Sequence, residues 1–149
     1  VSRIDPEFVL GLLELEVPEI ENGIIEVVKV VREPGIRTKM AVISHDPKID
    51  PVGSCIGHEG SRIASVLKEL RGEKLDVIKW SDDPKELIAN ALLPASVVDV
   101  EILDYEARAS RVLVSPNQLS LAIGKAGQNA RLAAKLTGWK IDIKPVMNA

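Results

Sequence analysis

Apolar positions along this chain follow two spacings, and both spacings occur twice in the same order. Residues 6–17 repeat apolar side chains at the interval of one helix face, after Asp5-Pro6 supplies a cap and a favoured first helical position. Residues 24–31 (IIEVVKVV) form a β-branched run typical of a strand, and residues 37–44 are its predicted antiparallel partner. The chain is therefore predicted to begin with a helix that ends before Pro18, followed by a β-hairpin.

Two helices and a third strand complete the first half. Residues 51–56 are predicted to form a short helix and residues 61–71 a longer one, with Gly72 as its C-terminal stop. The run at 75–80 (LDVIKW) has the composition of a strand. The predicted order is α-β-β-α-α-β.

The same order recurs in the second half of the chain. A helix begins at Asp83-Pro84, and the later elements are predicted as strands at 97–103 and 109–114, helices from Ser115-Pro116 and over 128–137, and a strand at 140–144. The repetition predicts two domains, residues 1–81 and 82–149.

The two halves also match residue by residue. Gly57-His58-Glu59-Gly60 and Gly124-Lys125-Ala126-Gly127 lie 67 positions apart, each between two predicted helices. Upstream, the alignment places residues 37–44 (RTKMAVIS) over residues 108–115 (RASRVLVS). A glycine at each end of such a loop lets the backbone approach a sugar-phosphate chain, and the amides that open the next helix then face phosphates. The duplication predicts a single-stranded nucleic-acid clamp.

Composition restricts the function classes. With 46% hydrophobic and 28% charged residues, the chain is predicted to be globular, soluble and cytoplasmic. No apolar run approaches the ~20 residues that a membrane span requires, so no membrane partner is expected. Cys55 is the single cysteine and is predicted to be a buried, inert residue, and with two histidines no metal site and no cofactor are expected. The sequence contains no nucleophile with an oriented base and no GxxxxGK[ST] loop, so it is not expected to be an enzyme.

Charge divides unevenly between the halves. Residues 1–83 carry 11 basic and 16 acidic side chains, a net charge of −5, whereas residues 84–149 carry 8 and 6, a net charge of +2. Because salt screens distant charges, the local charge governs phosphate contact, and the second half is the better predicted phosphate binder. The strand residues Arg37, Lys39, Arg108 and Arg111 are expected on solvated sheet faces.

Several stretches carry a resemblance to a known family. They are LEVPEI (15–20), REPGIRTKMAV (32–42), DPVGSCIG (50–57), GEKLDVIKW (72–80) and SLAIGKAGQNARLAAKLTGWKIDI (120–143). With the element order, they resemble two consecutive type II KH domains of the NusA family of transcription elongation, termination and antitermination factors. The resemblance implies an α+β fold in which each domain has a three-stranded mixed sheet with helices packed on one face.

The resemblance also implies a function. It implies a monomer whose two KH units bind single-stranded RNA as one extended surface, and contact with RNA polymerase through regions outside this fragment. The implied RNA-binding residues are Gly57, His58, Gly60, Ser61, Arg62, Gly124, Lys125, Ala126, Gly127, Gln128, Asn129 and Arg131. The implied base groove is lined by Ile56, Ile63, Val77, Ile123, Ala130 and Ile141.

One residue departs from the expected pattern, and two alternatives stay open. Glu59 places a carboxylate in the first loop, where it would repel phosphate. The first loop is therefore predicted either to bind RNA more weakly or to turn Glu59 outward. The alternatives are a KH-like protein-interaction scaffold, which the acidic first half permits, and a ribosome-assembly module that binds RNA.

Overall fold

The chain divides between Trp80 and Ser81 into two units, each of which builds one three-stranded sheet. The structure, a computed structural model, describes residues 6–146 of the 149. The predicted cap at Asp5 lies outside the described residues. The predicted α+β class, with two mixed sheets and flanking helices, is confirmed.

The first unit follows the predicted order with one added helix. Asp50 caps the short helix before the loop, because its side chain accepts a hydrogen bond from the Val52 amide at 3.1 Å. The elements are α1 (Pro6–Glu16), α2 (Pro18–Glu21), β1 (Ile25–Glu33), β2 (Arg37–Ser44), α3 (Pro51–Ile56), α4 (Ser61–Leu70) and β3 (Lys74–Lys79).

The sheet of the first unit has the order β1-β2-β3, antiparallel between β1 and β2 and parallel between β2 and β3. Its core joins Val9 and Leu13 of α1 with Met40 of β2, Cys55 of α3 and Val66 of α4, all of them buried. Burial of these side chains fixes the helices on the sheet and so sets where the loop between α3 and α4 lies.

The second unit repeats this architecture. Its elements are α5 (Pro84–Ala91), β4 (Asp99–Asp104), β5 (Ala109–Val114), α6 (Leu119–Ile123), α7 (Gln128–Thr137) and β6 (Lys140–Pro145). Its sheet has the order β4-β5-β6, again antiparallel and then parallel. Val100, Val112, Val114, Leu132 and Leu136 are among its buried apolar side chains.

The first helix ends at Glu16, before Pro18 as predicted, and Pro18 begins the separate short helix α2, because proline is tolerated at the first helical position. One helix boundary differs from the sequence prediction. Before α6, residues Pro116–Gln118 form a 3-10 turn, so the α-helix begins at Leu119. The Gln118 side chain does not cap the start of the helix, because its oxygen accepts a hydrogen bond from the Ser96 amide at 3.0 Å.

The strand alignment of the two halves was wrong by one residue. In the parallel pairs, Arg37 lies opposite Lys74, but Ala109 lies opposite Lys140, so Ala109 and not Arg108 is the counterpart of Arg37. The corrected register makes Lys39 the counterpart of Arg111. A slip of one residue in a strand moves every side chain to the other face, so this correction changes which charges share a face.

Two of the four strand charges that were expected in solvent are buried. Lys39 Nζ lies 2.8 Å and Arg37 Nη1 2.6 Å from Asp76 Oδ2, and the Lys39 side chain is fully buried. Burial lowers the pKa of Lys39, and the Asp76 carboxylate opposes that change. The corresponding pair in the second unit, Arg111 and Asp142, is longer at 3.8 Å and half-exposed. Arg108, the fourth of these charges, is exposed, but it lies in the turn before β5 and not on a sheet face.

A buried carboxylate ties the hairpin of the first unit to the end of α4. Glu73 accepts hydrogen bonds from Arg32 Nε and Nη2 at 2.9–3.2 Å, from Thr38 Oγ1 at 2.6 Å and from the Gly35 amide at 2.9 Å. Burial works against the ionised form, but these hydrogen bonds outweigh it and hold the pKa of Glu73 below its usual value of 4.5. The hairpin turn therefore depends on one ionised side chain.

We predict that Glu73→Gln lowers the free energy of unfolding by about 3 kcal/mol, because one partner of a buried, charge-assisted network is lost. Since the folded-state pKa is lowered, the contribution of Glu73 is present at neutral pH and is lost as the pH falls below 4.5. Urea unfolding followed by circular dichroism at pH 7 and pH 3 measures both effects. Between pH 7 and pH 3, the free energy of unfolding of Glu73→Gln should fall by less than that of the parent. The control is Glu16→Gln, which replaces an exposed carboxylate on α1 and should show the same fall as the parent.

Candidate nucleic-acid interface

The two GxxG loops have the same backbone conformation. Gly57 and Gly124 have φ of 79° and 81° with ψ of 175° and 165°, a region open only to glycine. The third residue of each loop, Glu59 or Ala126, is left-handed with φ of 53° or 57°. A side chain is held in this unfavourable conformation at the same place in both units. The duplication seen in the sequence is therefore a duplication of backbone geometry.

The first glycine of each loop is also required by close packing. A Cβ on Gly124 would lie 2.7 Å from the Asn129 amide nitrogen and 2.8 Å from Asn129 Cβ. A Cβ on Gly57 would lie 2.7 Å from Arg62 Cγ. The second residue of the following helix thus packs against the first glycine in both units. At the fourth loop residue, Gly127, the nearest atom to an added Cβ is 3.8 Å away.

Hydrogen bonds inside the loops leave part of the backbone available. The amides of Gly60 and Gly127 donate to the carbonyls of Gly57 and Gly124 at 3.1 and 3.0 Å. None of the loop bonds recorded for the described residues uses the amides of the two middle residues. Amides of successive residues in such a turn, next to a helix N-terminus, form a site suited to an anion.

Basic and apolar side chains surround the second loop. Lys125 is exposed, and the exposed Arg131 donates from Nη1 to the Ala126 carbonyl at 3.1 Å, which holds its guanidinium beside the loop. Leu121 and Ile123, on the last turn of α6, are 41% and 37% exposed. This combination suits a phosphate chain on the loop and bases against an aliphatic surface.

Two polar residues after the second loop are buried. Asn129 was predicted to make a polar contact with RNA, but it is fully buried, and its Nδ2 donates to the carbonyls of Leu92 at 3.0 Å and Ala122 at 2.9 Å. Gln128 is 9% exposed. The predicted contact of Asn129 with RNA does not fit its position, because helix packing encloses this side chain.

The first loop has a different electrostatic environment. His58 and Glu59 extend into solvent, with side chains 92% and 85% exposed. Arg62, predicted to contact phosphate, instead donates from Nη1 to both carboxylate oxygens of Glu19, at 3.0 and 3.2 Å. The hydrogen bond from Arg62 lowers the pKa of Glu19. A groove of about 530 Å³ runs beside this loop, lined by Glu19, Asp50, Gly53, Ser54, Gly57, His58, Ser61 and Arg62.

The predicted base-groove residues fall into two groups. The half-buried ones are Ile56, Ile63, Ala130 and Ile141, while Ile123 is exposed. Val77 is 6% exposed and belongs to the core of the first unit. Val77 lies opposite Met40, midway along the paired strands β2 and β3. The prediction of Val77 as a groove residue does not fit its burial in the core.

Sequence reasoning missed two residues at the loops. Leu121 was overlooked, although its aligned counterpart in the first half is the polar Ser54 and this contrast was visible in the sequence. Glu19 carried no signal, because it lies 43 residues from Arg62 and only the packing of α2 beside α4 brings them together. Both residues change the chemistry of a loop without belonging to its motif.

Other kinds of site were sought over the described residues. Across 6–146, no group of three or more His, Cys, Asp or Glu side chains is arranged to hold a metal ion. Cys55 is buried, and its burial raises the pKa of the thiol to about 11, so it is inert as predicted. None of the helices between residues 6 and 146 is long and apolar enough to cross a membrane.

Family models match the chain in two consecutive parts. The model of the NusA-like first KH domain matches residues 3–80, and the model of the NusA-like second KH domain matches residues 84–149. The two matches cover both GxxG loops.

Curated relatives match the chain along its length. The transcription termination/antitermination protein NusA of Bacillus subtilis (strain 168) is 55% identical over 149 residues, which is 100% of this chain and 40% of that protein. The protein of the same name from Thermus thermophilus is 56% identical over 141 residues, 95% of this chain and 36% of that protein. The chain thus spans well under half the length of these relatives.

A solved structure shows the same fold at lower identity. The crystal structure of APE1850 matches 91% of this chain and 96% of its own chain, with a TM-score of 0.61 and 22% identity. The likeness is one of fold.

We predict that Gly124→Ala lowers the free energy of unfolding by more than about 2 kcal/mol, because the new Cβ overlaps Asn129 in a backbone region open only to glycine. Gly127→Ala is the matched control, since it has a left-handed backbone but open space, and should cost about 1 kcal/mol. Urea unfolding of the two variants compares them directly. Equal losses would show that packing at the first glycine is unimportant.

Proposed function

We propose a function for this chain from the premise that it belongs to the NusA family and consists of two consecutive KH domains of that family. The resemblance found in the sequence is thereby confirmed. The proposed function is the binding of single-stranded RNA by the two KH domains, along one extended path. We place this activity within a transcription termination and antitermination factor that acts on nascent RNA.

The duplicated loop is the observation that carries the proposal. Each KH domain presents a GxxG turn whose two middle amides donate no hydrogen bond to the described residues. The first glycine of the turn lies in close contact with the second residue of the next helix. A KH domain clamps about four nucleotides at this turn, so two domains would cover about eight. Single-stranded RNA is favoured over a duplex, because its flexible backbone can follow the turn and its unpaired bases can lie against the domain.

In the second domain, the proposed phosphate contacts come from the backbone and from two cations. The amides of Lys125 and Ala126 would face the phosphates, Gly124 and Gly127 would let the backbone approach, and the side chains of Lys125 and Arg131 would supply charge. The bond from Arg131 Nη1 to the Ala126 carbonyl holds the guanidinium beside the loop, where its charge would attract phosphate.

The bases of the RNA are proposed to lie against aliphatic side chains. Ile123 and Leu121 are more than one-third exposed beside the second loop, and Ala130 follows on α7. Ile141 of β6 is half-buried. In the first domain, Ile56 and Ile63 have the corresponding proposed role, next to Gly57, Gly60 and the exposed Ser61.

We propose that the second domain contributes more of the RNA affinity. The exposed cations Lys125 and Arg131 lie near its loop, whereas the first loop carries the exposed Glu59, and the nearby Arg62 is paired with Glu19. A carboxylate at the loop repels phosphate at a distance where salt screens little.

The wider role rests on the relatives, of which the chain spans only part. Their name supports work on transcription, which we place in the bacterial cytoplasm, with RNA polymerase contacted through other regions of the protein. The chain is proposed to act as a monomer that binds RNA without catalysing a reaction on it.

We predict that Lys125→Asp combined with Ala126→Asp weakens binding of a fluorescent RNA of about a dozen nucleotides by at least about tenfold. Aspartate tolerates the left-handed conformation at position 126, so the fold should persist. Fluorescence anisotropy at several salt concentrations measures the loss. Lys85→Asp with Ala107→Asp, an equal charge change at exposed positions of the same domain, is the control.

If the double variant binds as the parent does, the second loop is not the site. If the parent itself binds no RNA, the protein-scaffold alternative replaces the proposal.

We predict that Glu59→Lys raises RNA affinity roughly threefold or more at low salt, because a repulsive charge beside phosphate becomes attractive. Glu16→Lys makes the same change in net charge on α1 and serves as the control. Anisotropy titrations should show the difference shrinking as salt rises. An equal gain in both variants would mean that only the overall charge matters.

A further inference from the structure

We infer that Arg62 and Asn129 are positioning residues, which hold each GxxG loop from behind and do not contact RNA themselves. The inference includes a role for Glu19, whose carboxylate supports RNA binding through Arg62 despite its negative charge. It rests on the proposed function, and it assigns these three side chains a role that the loop motif does not contain.

In the first domain, Arg62 joins three segments. Its Nη1 donates to the Ser54 carbonyl at 2.8 Å and to both oxygens of Glu19 at 3.0 and 3.2 Å. Arg62 belongs to the first turn of α4, Ser54 to the last turn of α3, and Glu19 to α2. The side chain therefore bridges the two helices on either side of the loop and ties both to a third.

In the second domain, Asn129 makes a similar bridge with neutral groups, to the last turn of α6 and to the end of α5. Its Nδ2 donates to the Ala122 carbonyl at 2.9 Å and to the Leu92 carbonyl at 3.0 Å. Ala122 lies in the last turn of α6, and Leu92 caps the end of α5. Asn129 is fully buried, so it cannot reach a ligand outside the domain.

The two residues occupy one structural position. Each is the second residue of the helix after the loop, and the offset between them is the same 67 that relates the loops. Each also packs against the first glycine, with Arg62 Cγ 2.7 Å and Asn129 Cβ 2.8 Å from where a Cβ would stand. Two different side chains thus occupy the same position in the two domains.

Both side chains supply hydrogen-bond donors to the end of the helix before the loop. The last carbonyls of an α-helix have no partner within the helix, and a side-chain donor can satisfy them. Arg62 and Asn129 supply this donor to the helix before the loop while belonging to the helix after it. The bridge fixes the separation and angle of the two helix ends, and so the direction in which the loop amides point.

Because Glu19 is negatively charged, its removal distinguishes a positioning role from mere repulsion of phosphate. If Glu19 acts only through its field, its removal reduces repulsion of phosphate and raises RNA affinity. If Glu19 holds Arg62 in place, its removal loosens the loop and lowers RNA affinity. The two explanations predict changes of opposite sign.

The first experiment compares Glu19→Ala with Glu21→Ala in the 149-residue chain, using the same fluorescent RNA. Glu21 is an exposed residue of the same short helix and is the matched control. We expect Glu19→Ala to weaken binding about threefold, and Glu21→Ala to leave it unchanged or slightly stronger. An equal gain in affinity from both variants would overturn the inference.

The second experiment asks whether Arg62 touches phosphate. Loss of one phosphate contact to a single strand lowers the slope of log affinity against log salt by about 0.7. We expect Arg62→Gln to weaken binding with the slope unchanged, and Asn129→Ala to do the same for the second loop. A reduced slope for Arg62→Gln would show that Arg62 contacts phosphate, and this would overturn the inference for Arg62.

A third measurement is independent of RNA. In the free protein, the loop amides of His58 and Glu59 should shift in the nitrogen–proton NMR spectrum of Glu19→Ala, while core amides such as that of Met40 stay in place. If the parent binds no RNA, the proposed function fails but these shifts still test the bridge. An unshifted loop would contradict it.

Discussion

The close approach between a loop glycine and the helix that follows is the constraint on which each domain depends. Gly57 and Gly124 reverse the chain in a backbone region open only to glycine, and the next helix packs where a Cβ would stand. Because this contact sets how near the two helices lie, it also sets where the loop amides point. The direction of the loop amides and the packing of the helices are consequences of the same contact, which explains why both loops have glycine at this position although their middle residues differ.

The two domains solve the same structural problems with different charges. The first uses ionised groups as structural contacts: the buried Glu73 holds the hairpin, Asp76 pairs with Arg37 and Lys39, and the partly exposed Glu19 holds Arg62. The second places a neutral amide, Asn129, at the position of Arg62. Its cations near the loop, Lys125 among them, are left at the surface. The negative net charge of the first half therefore reflects structural carboxylates in part, whereas Lys125 and Arg131 of the second half stay exposed beside its loop.

This division explains why an acidic chain can be proposed to bind a polyanion. A buried carboxylate with several donors, such as Glu73, projects little field into solvent, because its own partners neutralise it. The exposed Glu59 is different, since it stands within the loop that would face phosphate. Net charge per domain is thus a poor guide to the surface potential, and the partners of each charge decide its effect.

The sequence by itself determined the duplication, the element order, the loop positions and the family, because these depend on local spacing and glycine chemistry that repeat along the chain. It did not determine the register of the strands, since RTKMAVIS and RASRVLVS align by letters at an offset that the paired strands contradict by one residue. Nor did it show that Asn129 is enclosed by helix packing or that Arg62 pairs with Glu19. Only the tertiary structure decided those points, because burial and hydrogen bonding join segments such as Glu19 and Arg62, and local pattern carries no information about partners so distant in the chain.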